Sequence, residues 1–128
     1  MKQILFQDEP LTEKQVTNIR EWIKRLRNPD EKQCKQVLYN GTGHCCLGIA
    51  ERVLGKEPVF RDCNWWFGER FGLMEEDDWK AFGLRGDAGG FREPYEDLNC
   101  LVSLNDVGMP FPEIAGFIES QLKLKLEE

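Results

Sequence analysis

Few side chains in this 128-residue sequence are spaced for chemistry. The densest run is His44-Cys45-Cys46, which sets the only histidine beside two of the five cysteines (Cys34, Cys45, Cys46, Cys63 and Cys100). A nucleophilic thiol needs a base within hydrogen-bond reach and an electropositive setting that lowers its pKa. On a strand His44 and Cys45 point to opposite faces, whereas His44 and Cys46 share one. The plainer reading places both cysteines as small core residues at a strand-to-helix junction, because unpaired cysteine is among the most buried residue types. That reading is preferred. No Cys-x-x-Cys or His-x-x-x-His spacing occurs, so structural zinc is not expected. Asp87 lacks the regular series of oxygen ligands that an EF-hand supplies. No metal or other cofactor is expected.

Three further groups of residues suit binding better than turnover. The stretch Gly83-Leu-Arg-Gly-Asp-Ala-Gly-Gly-Phe-Arg92 has glycines that let backbone amides approach an anion, and Arg85 and Arg92 to clamp a phosphate. It matches neither a P-loop nor a dinucleotide fingerprint, and turn statistics favour a plain hairpin with glycines at positive φ. Trp65 and Trp66 lie near Arg61 and Arg70, a mixture able to sandwich a purine ring, although aromatics in so small a domain more often fill the core. Asn105-Asp106 falls at a helix end, where an acid opposes the helix dipole and needs a salt bridge or capping bond. A structural tie is expected there, and Asp106 is the best single candidate for a functional acid. The leading candidate site joins Arg85, Arg92 and an aromatic from Trp65 or Trp66, with Asn105 and Asp106 as additional ligand contacts.

The elements that must position these groups are mostly helical. Thr12 is an N-cap with Gln15 completing a capping box, and Leu11 and Val16 occupy the hydrophobic-staple positions. Val16, Ile19, Ile23 and Leu26 recur every three or four residues, and Asn28-Pro29 ends the helix. Residues 34–46 read as a hairpin turning at Asn40-Gly41. A helix follows from Cys46 to Leu54, with Cys46, Ala50, Val53 and Leu54 inward and Gly55 as its stop. Residues 56–74 read as irregular and aromatic-rich. A short helix begins with Glu75-Glu-Asp-Asp78, which suits its positive end, turns Trp79 and Phe82 inward and stops at Gly83. Residues 84–92 read as a glycine-rich turn or hairpin. Another helix runs from near Pro94 to Asn105, with Gly108 breaking it. The last starts near Pro112 and carries Ile114, Phe117, Ile118, Leu122 and Leu126 as its stripe. The expected fold is α+β, mostly helical: four or five helices around one core with one or two small β-hairpins, in a single domain over 1–128 whose first ten residues form a tail or edge strand.

Composition bounds the setting. Hydrophobic residues make up 41% and charged residues 31%, an ordinary globular balance. The N-terminus lacks the basic-then-apolar design of a signal peptide, and no apolar run approaches the ~20 residues that span a bilayer. An odd cysteine count without a leader argues against a disulfide framework. A cytoplasmic protein with no membrane partner is expected. The net charge of -6 repels polymeric nucleic acid at long range, but leaves room for a local basic pocket holding a small anion. A homodimer is compatible with these features, since a pocket can form between two subunits.

Two segments, Asn40-Gly-Thr-Gly-His-Cys-Cys-Leu-Gly-Ile-Ala50 and Leu104-Asn-Asp-Val-Gly-Met-Pro-Phe-Pro-Glu-Ile-Ala-Gly-Phe-Ile-Glu119, resemble a widespread group of small bacteriophage proteins. That group is similar in order: an amphipathic helix, a Cys-Cys-Leu-Gly segment, an element matched by Trp79-Lys-Ala-Phe-Gly-Leu84, and the Leu-Asn-Asp ending. The resemblance runs from about residue 12 to 119. One departure is Pro110, where the group usually has Ser or Thr as a helix cap. The resemblance implies a phage accessory protein in the bacterial host cytoplasm, of a kind that often disarms host defences, sometimes by sequestering a nucleotide signal. It supplies no catalytic residue. Sequestration of a small anionic, nucleotide-type ligand without turnover is therefore the leading expectation. A protein–protein inhibitor of a host factor, docking through exposed aromatics, is second. A cysteine-dependent enzyme using Cys46 and His44 is third.

Overall fold

Thr12 and Gln15 cap each other at the start of α1 (Glu13–Leu26): the Gln15 N–H donates to Thr12 Oγ1, and the Thr12 N–H donates to Gln15 Oε1. The computed structural model describes residues 3–86 and 100–128. α1 buries Ile19, Ile23 and Leu26 as its spacing predicts, with Trp22 added to that face. Val16, at the head of the helix, is only half-buried. The Trp22 indole donates to the Cys46 carbonyl at 2.8 Å and meets Phe82 edge-on at 5.1 Å, so it gains a polar partner as well as apolar contact.

α2 (Cys46–Val53) follows, and Gly55 leaves it at φ +80°. Next come strands β1 (Val59–Arg61) and β2 (Asn64–Trp66), then α3 (Glu76–Lys80), α4 (Leu101–Asp106) and α5 (Phe111–Leu126). Five helices and one antiparallel hairpin make an α+β, mostly helical fold among the described residues; the buried cluster is drawn from the helices and loops, and neither hairpin strand contributes to it. α5 packs along α1, and Arg27 at the end of α1 forks onto Glu119 of α5 at 2.9 and 3.0 Å. No helix among the described residues is long and apolar enough to cross a membrane.

Residues 3–10 are neither a free tail nor a regular strand. Ile4, Leu5 and Phe6 are buried. Gln121 Oε1 accepts from the Ile4 and Leu5 N–H groups, and Phe6 bridges Leu84.

The hairpin expected at residues 34–46 does not form a ladder. The Asn40 turn itself is present: Gly41 takes φ +94°, and Asn40 Oδ1 accepts from the Thr42 and Gly43 N–H groups. Its two flanks bond to each other through Asn40 N–H to Gly43 O, Cys45 N–H to Leu38 O and Cys34 N–H to His44 O, and also to other segments. Leu38 N–H donates to Phe71 O, while His44 N–H donates to Lys32 O. Only the single bridge Tyr39–His44 joins the flanks as an antiparallel pair. The hairpin is β1–β2 instead, in the stretch read as irregular, with Phe60 opposite Trp65 and Val59 opposite Trp66. Its two-residue turn is Asp62-Cys63, at φ +47° and +64°. Both central residues are left-handed, the geometry for which Asp-Gly is the usual signal. Cysteine in the glycine position hid that signal. The expected hairpin at 84–92 lies, from residue 87 onward, outside the described residues. The helix expected to run from near Pro94 to Asn105 is shorter: α4 begins at Leu101, with Cys100 in extended backbone as its N-cap and Cys100 Sγ accepting from the Ser103 N–H.

Candidate ligand-binding cavity

Gly83 ends α3 at φ +64°, and a side chain there would collide with Leu11 Cδ2. The glycine therefore permits both the turn and the close approach. It delivers Leu84 to the core and Arg85 to the wall of a cavity of about 410 Å3. Trp79, Lys80, Gln7 and Gln15 line the same space, along with the acids Asp8 and Glu9. Arg85 Nη2 donates to Asp8 Oδ1 at 2.9 Å. Its Nε is buried and has no hydrogen-bond partner among the described residues. Burial pushes the guanidinium pKa down, against the charges of Glu9 and Glu128. Lys80 Nζ lies 5.8 Å from the centre of the Trp79 ring and 2.7 Å from Glu76 Oε1. Gln15 Nε2 donates to the Lys80 carbonyl, which ties α1 to the cavity wall. An indole face, two cations and two amides can seat a planar anion. The two acids offer acceptors to any donor it carries.

The candidate site proposed from sequence is divided. Trp65 faces a different cavity of about 220 Å3, with Tyr39, Asn40, Phe60 and Asn64. Trp66 is covered by the Arg61 guanidinium at 4.6 Å and by Phe71 at 4.8 Å, and its indole donates to Arg61 O. Neither tryptophan shares the Arg85 cavity. The aromatic beside Arg85 is Trp79, which sequence reasoning assigned to the core because it falls on the inward side of α3. Arg92 lies outside the described residues.

Asn105 and Asp106 are structural ties. Asn105 is fully buried: its Oδ1 accepts from Cys46 N–H at 3.1 Å and Gln33 Nε2 at 2.9 Å, and its Nδ2 donates to Cys34 O at 2.7 Å. Little hydrogen-bonding capacity is left for a ligand. Asp106 Oδ1 accepts from the Gln36 N–H at 2.9 Å and steadies that residue at φ +72°. Gln33 went unnoticed in the sequence. Its Oε1 accepts from Phe111 N–H at 3.2 Å, so it caps α5 from a distant loop where Pro110 offers no side-chain cap.

The His44–Cys46 segment is built as core. His44 stacks on Tyr39 at 4.4 Å, and burial with help from Arg52 pushes its pKa down to about 4. Burial pushes Cys34 up to about 11, Cys45 up to about 12 and Cys46 well above the ordinary thiol value. A neutral imidazole beside neutral thiols is the reverse of an activated nucleophile. Among the described residues no three His, Cys, Asp or Glu side chains gather as metal ligands.

Sequence reasoning also missed a buried acid. Glu51 of α2 is fully buried, and neither oxygen meets a donor group among the described residues. Burial, then a hydrogen bond to Asp78 and the Asp78 charge, push its carboxyl up to about 9, with Lys56 opposing. Two carboxyls bond only through a shared proton, so Glu51 is the protonated partner. Asp78 carries the ion pair, with Lys56 Nζ at 2.8 and 2.9 Å from its oxygens. Glu51 has no exposed surface to offer a substrate, so this pair belongs to the scaffold. Compared with family models, curated proteins and solved structures, the chain gives no match.

Proposed function

We propose that this chain is a binding protein that holds a small planar anion of nucleotide type in the Arg85 cavity and does not turn it over. The observation that carries the reading is the buried Arg85 Nε, a donor without a partner among the described residues, on the wall of a 410 Å3 cavity that also presents Lys80 and Trp79. Arg85 and Lys80 beside the Trp79 indole offer charge-assisted donors and an aromatic face, the combination that suits a planar anion. Among the described residues the cavity wall carries no thiol, hydroxyl or imidazole. The resemblance to small phage proteins supplies the proposed setting, a bacterial host cytoplasm, and the proposed purpose, capture of a defence signal.

The test is native mass spectrometry of the protein purified from bacteria with active defence systems. An extra mass of a few hundred daltons, released on denaturation, is expected with the wild type. Arg85→Lys keeps the charge but loses the planar fork, and should retain less ligand than wild type; Arg85→Ala should retain none. A clean apo mass, with no thermal shift from a panel of nucleotides, would sink the reading.

A second reading, inhibition of a host protein, is favoured by the β1–β2 hairpin. Val59 and Phe60 are 60% and 59% exposed, beside the partly exposed Phe71. Aromatic anchors of this kind dominate protein interfaces. Recovery of one host protein that is lost with Phe60→Ser, together with an apo mass, would promote this reading over the first.

A further inference from the structure

α1 and α5 meet along a seam whose floor is apolar and whose rim is cationic. Two adjoining hollows of about 370 and 300 Å3 share Arg20, Glu119 and Leu122. Ile23 and Leu122 form the buried floor, and Leu126 leaves 49% of its surface exposed at one end. On the rim, Arg20, Lys24 and Lys123 are exposed and make no ion pair among the described residues. Arg27 and Glu119 neutralise each other. That leaves three free cations against Glu127, on a chain whose net charge is -6.

We propose that this seam is a docking surface for an acidic amphipathic helix of a protein partner. The charge calls for an acidic occupant, since only opposite charge gains from a rim whose cations outnumber its acids. The shape calls for a helix. The walls are themselves helices with their backbone groups already bonded, so the groove offers no open edge to an extended strand, and side chains at i, i+3 or i+4 and i+7 fill such a groove. From Arg20 to Arg27 on α1 the seam is about 10 Å long at 1.5 Å per residue, room for two turns of a bound helix. A second copy of this chain fits poorly, because a two-fold contact on this face would set Arg20, Lys24 and Lys123 near their own copies. The seam shares no lining residue with the Arg85 cavity, so the inference stands apart from the proposed ligand.

The experiment titrates isotopically labelled full-length protein with two synthetic helical peptides that share one leucine stripe. One carries glutamate on its flanks and the other glutamine. The glutamate peptide should shift the amide signals of Arg20, Ile23, Lys24, Leu122 and Lys123. It should bind at least tenfold tighter than the glutamine peptide, and weaken as salt rises. Arg20→Glu/Lys123→Glu should reduce its binding at least tenfold with an unchanged circular dichroism spectrum, since both residues are exposed. Leu126→Ser should weaken both peptides alike. Equal binding of the two peptides, shifts confined to another face, or no binding at 1 mM would each overturn the proposal. So would self-association of the free protein that the double substitution abolishes, because the seam would then belong to a dimer.

Discussion

Replacing Glu51 by glutamine keeps the side-chain shape and a donor for Asp78, but removes an ionisation that burial opposes. The folded carboxyl is raised to about 9 from 4.5, so the unfolded chain loses this proton first as pH rises. The Glu51 contribution to stability is therefore fully present below pH 4.5 and is lost progressively as pH climbs towards 9. At about 1.36 kcal/mol per pH unit, the acid has lost on the order of 3 kcal/mol by pH 7, and glutamine does not titrate. Glu51→Gln should thus be more stable than wild type by about 2–3 kcal/mol at pH 7, once relaxation around the Glu51–Asp78 pair is allowed for. Near pH 4.5 the two proteins should be nearly equal. Urea unfolding at pH 5, 6, 7, 8 and 9 measures this directly, with similar m-values confirming that the denatured states are alike. The wild-type curve should fall with pH and the variant curve should stay flatter. Parallel curves, or a variant less stable at pH 7, would refute the argument that Glu51 is held protonated.

Three more outcomes follow from the geometry. Cys63→Gly should raise the melting temperature by an amount equivalent to about 0.5–1 kcal/mol, because glycine accepts φ +64° without strain; a lower melting temperature would contradict the left-handed turn. Asn105→Ala should destabilise by roughly 3 kcal/mol in urea, since it strips partners from Cys46 N–H, Cys34 O and Gln33 at once; a loss below ~1 kcal/mol would mean that these groups find other partners. A thiol reagent at pH 8 should modify exposed Cys63 quickly and leave Cys34, Cys45 and Cys46 untouched until the chain unfolds. Rapid labelling of Cys45 or Cys46, read by mass mapping, would restore the cysteine-dependent reading.

The parts of the fold that were legible in the sequence are those held by local chemistry. The Thr12–Gln15 box, the Gly55 and Gly83 stops and the proline near the start of α5 each act within a few residues, so α1, α2, α3 and α5 could be read directly. What was missed depends on partners far along the chain. The flanks of the Asn40 turn looked like two full strands of one hairpin, yet they pair only in a single bridge beside the turn, while Leu38 N–H goes to Phe71 and His44 N–H to Lys32. Pairing at that distance leaves no periodic mark. The β1–β2 turn was hidden by a cysteine doing what glycine usually does. For the candidate site, Arg85 was visible through its glycine-rich neighbourhood, but its aromatic companion was not. Trp79 sits at a helical position that reads as core, while the more conspicuous Trp65 and Trp66 went to the hairpin. Glu51 reads as the polar flank of an amphipathic helix, and its burial beside Asp78 of α3 depends on a partner distant in sequence.

The Gln33–Asn105 cluster has a consequence for the order in which the chain can settle during synthesis. Asn105 reaches back 59 residues to Cys46 and 71 to Cys34, and Gln121 reaches back 117 to Ile4. α1 can form as soon as it leaves the ribosome, because its cap is its own. The loop from Gln33 to Cys46 cannot. Its Cys46 N–H and Cys34 carbonyl wait for an asparagine made more than fifty residues later, and the N-terminal segment waits for α5. Most of the chain must therefore be made before its first quarter has its native partners. Slowing translation near the end, or pausing before residue 105, should prolong a state with an exposed α1 face and make the nascent chain depend more heavily on chaperones.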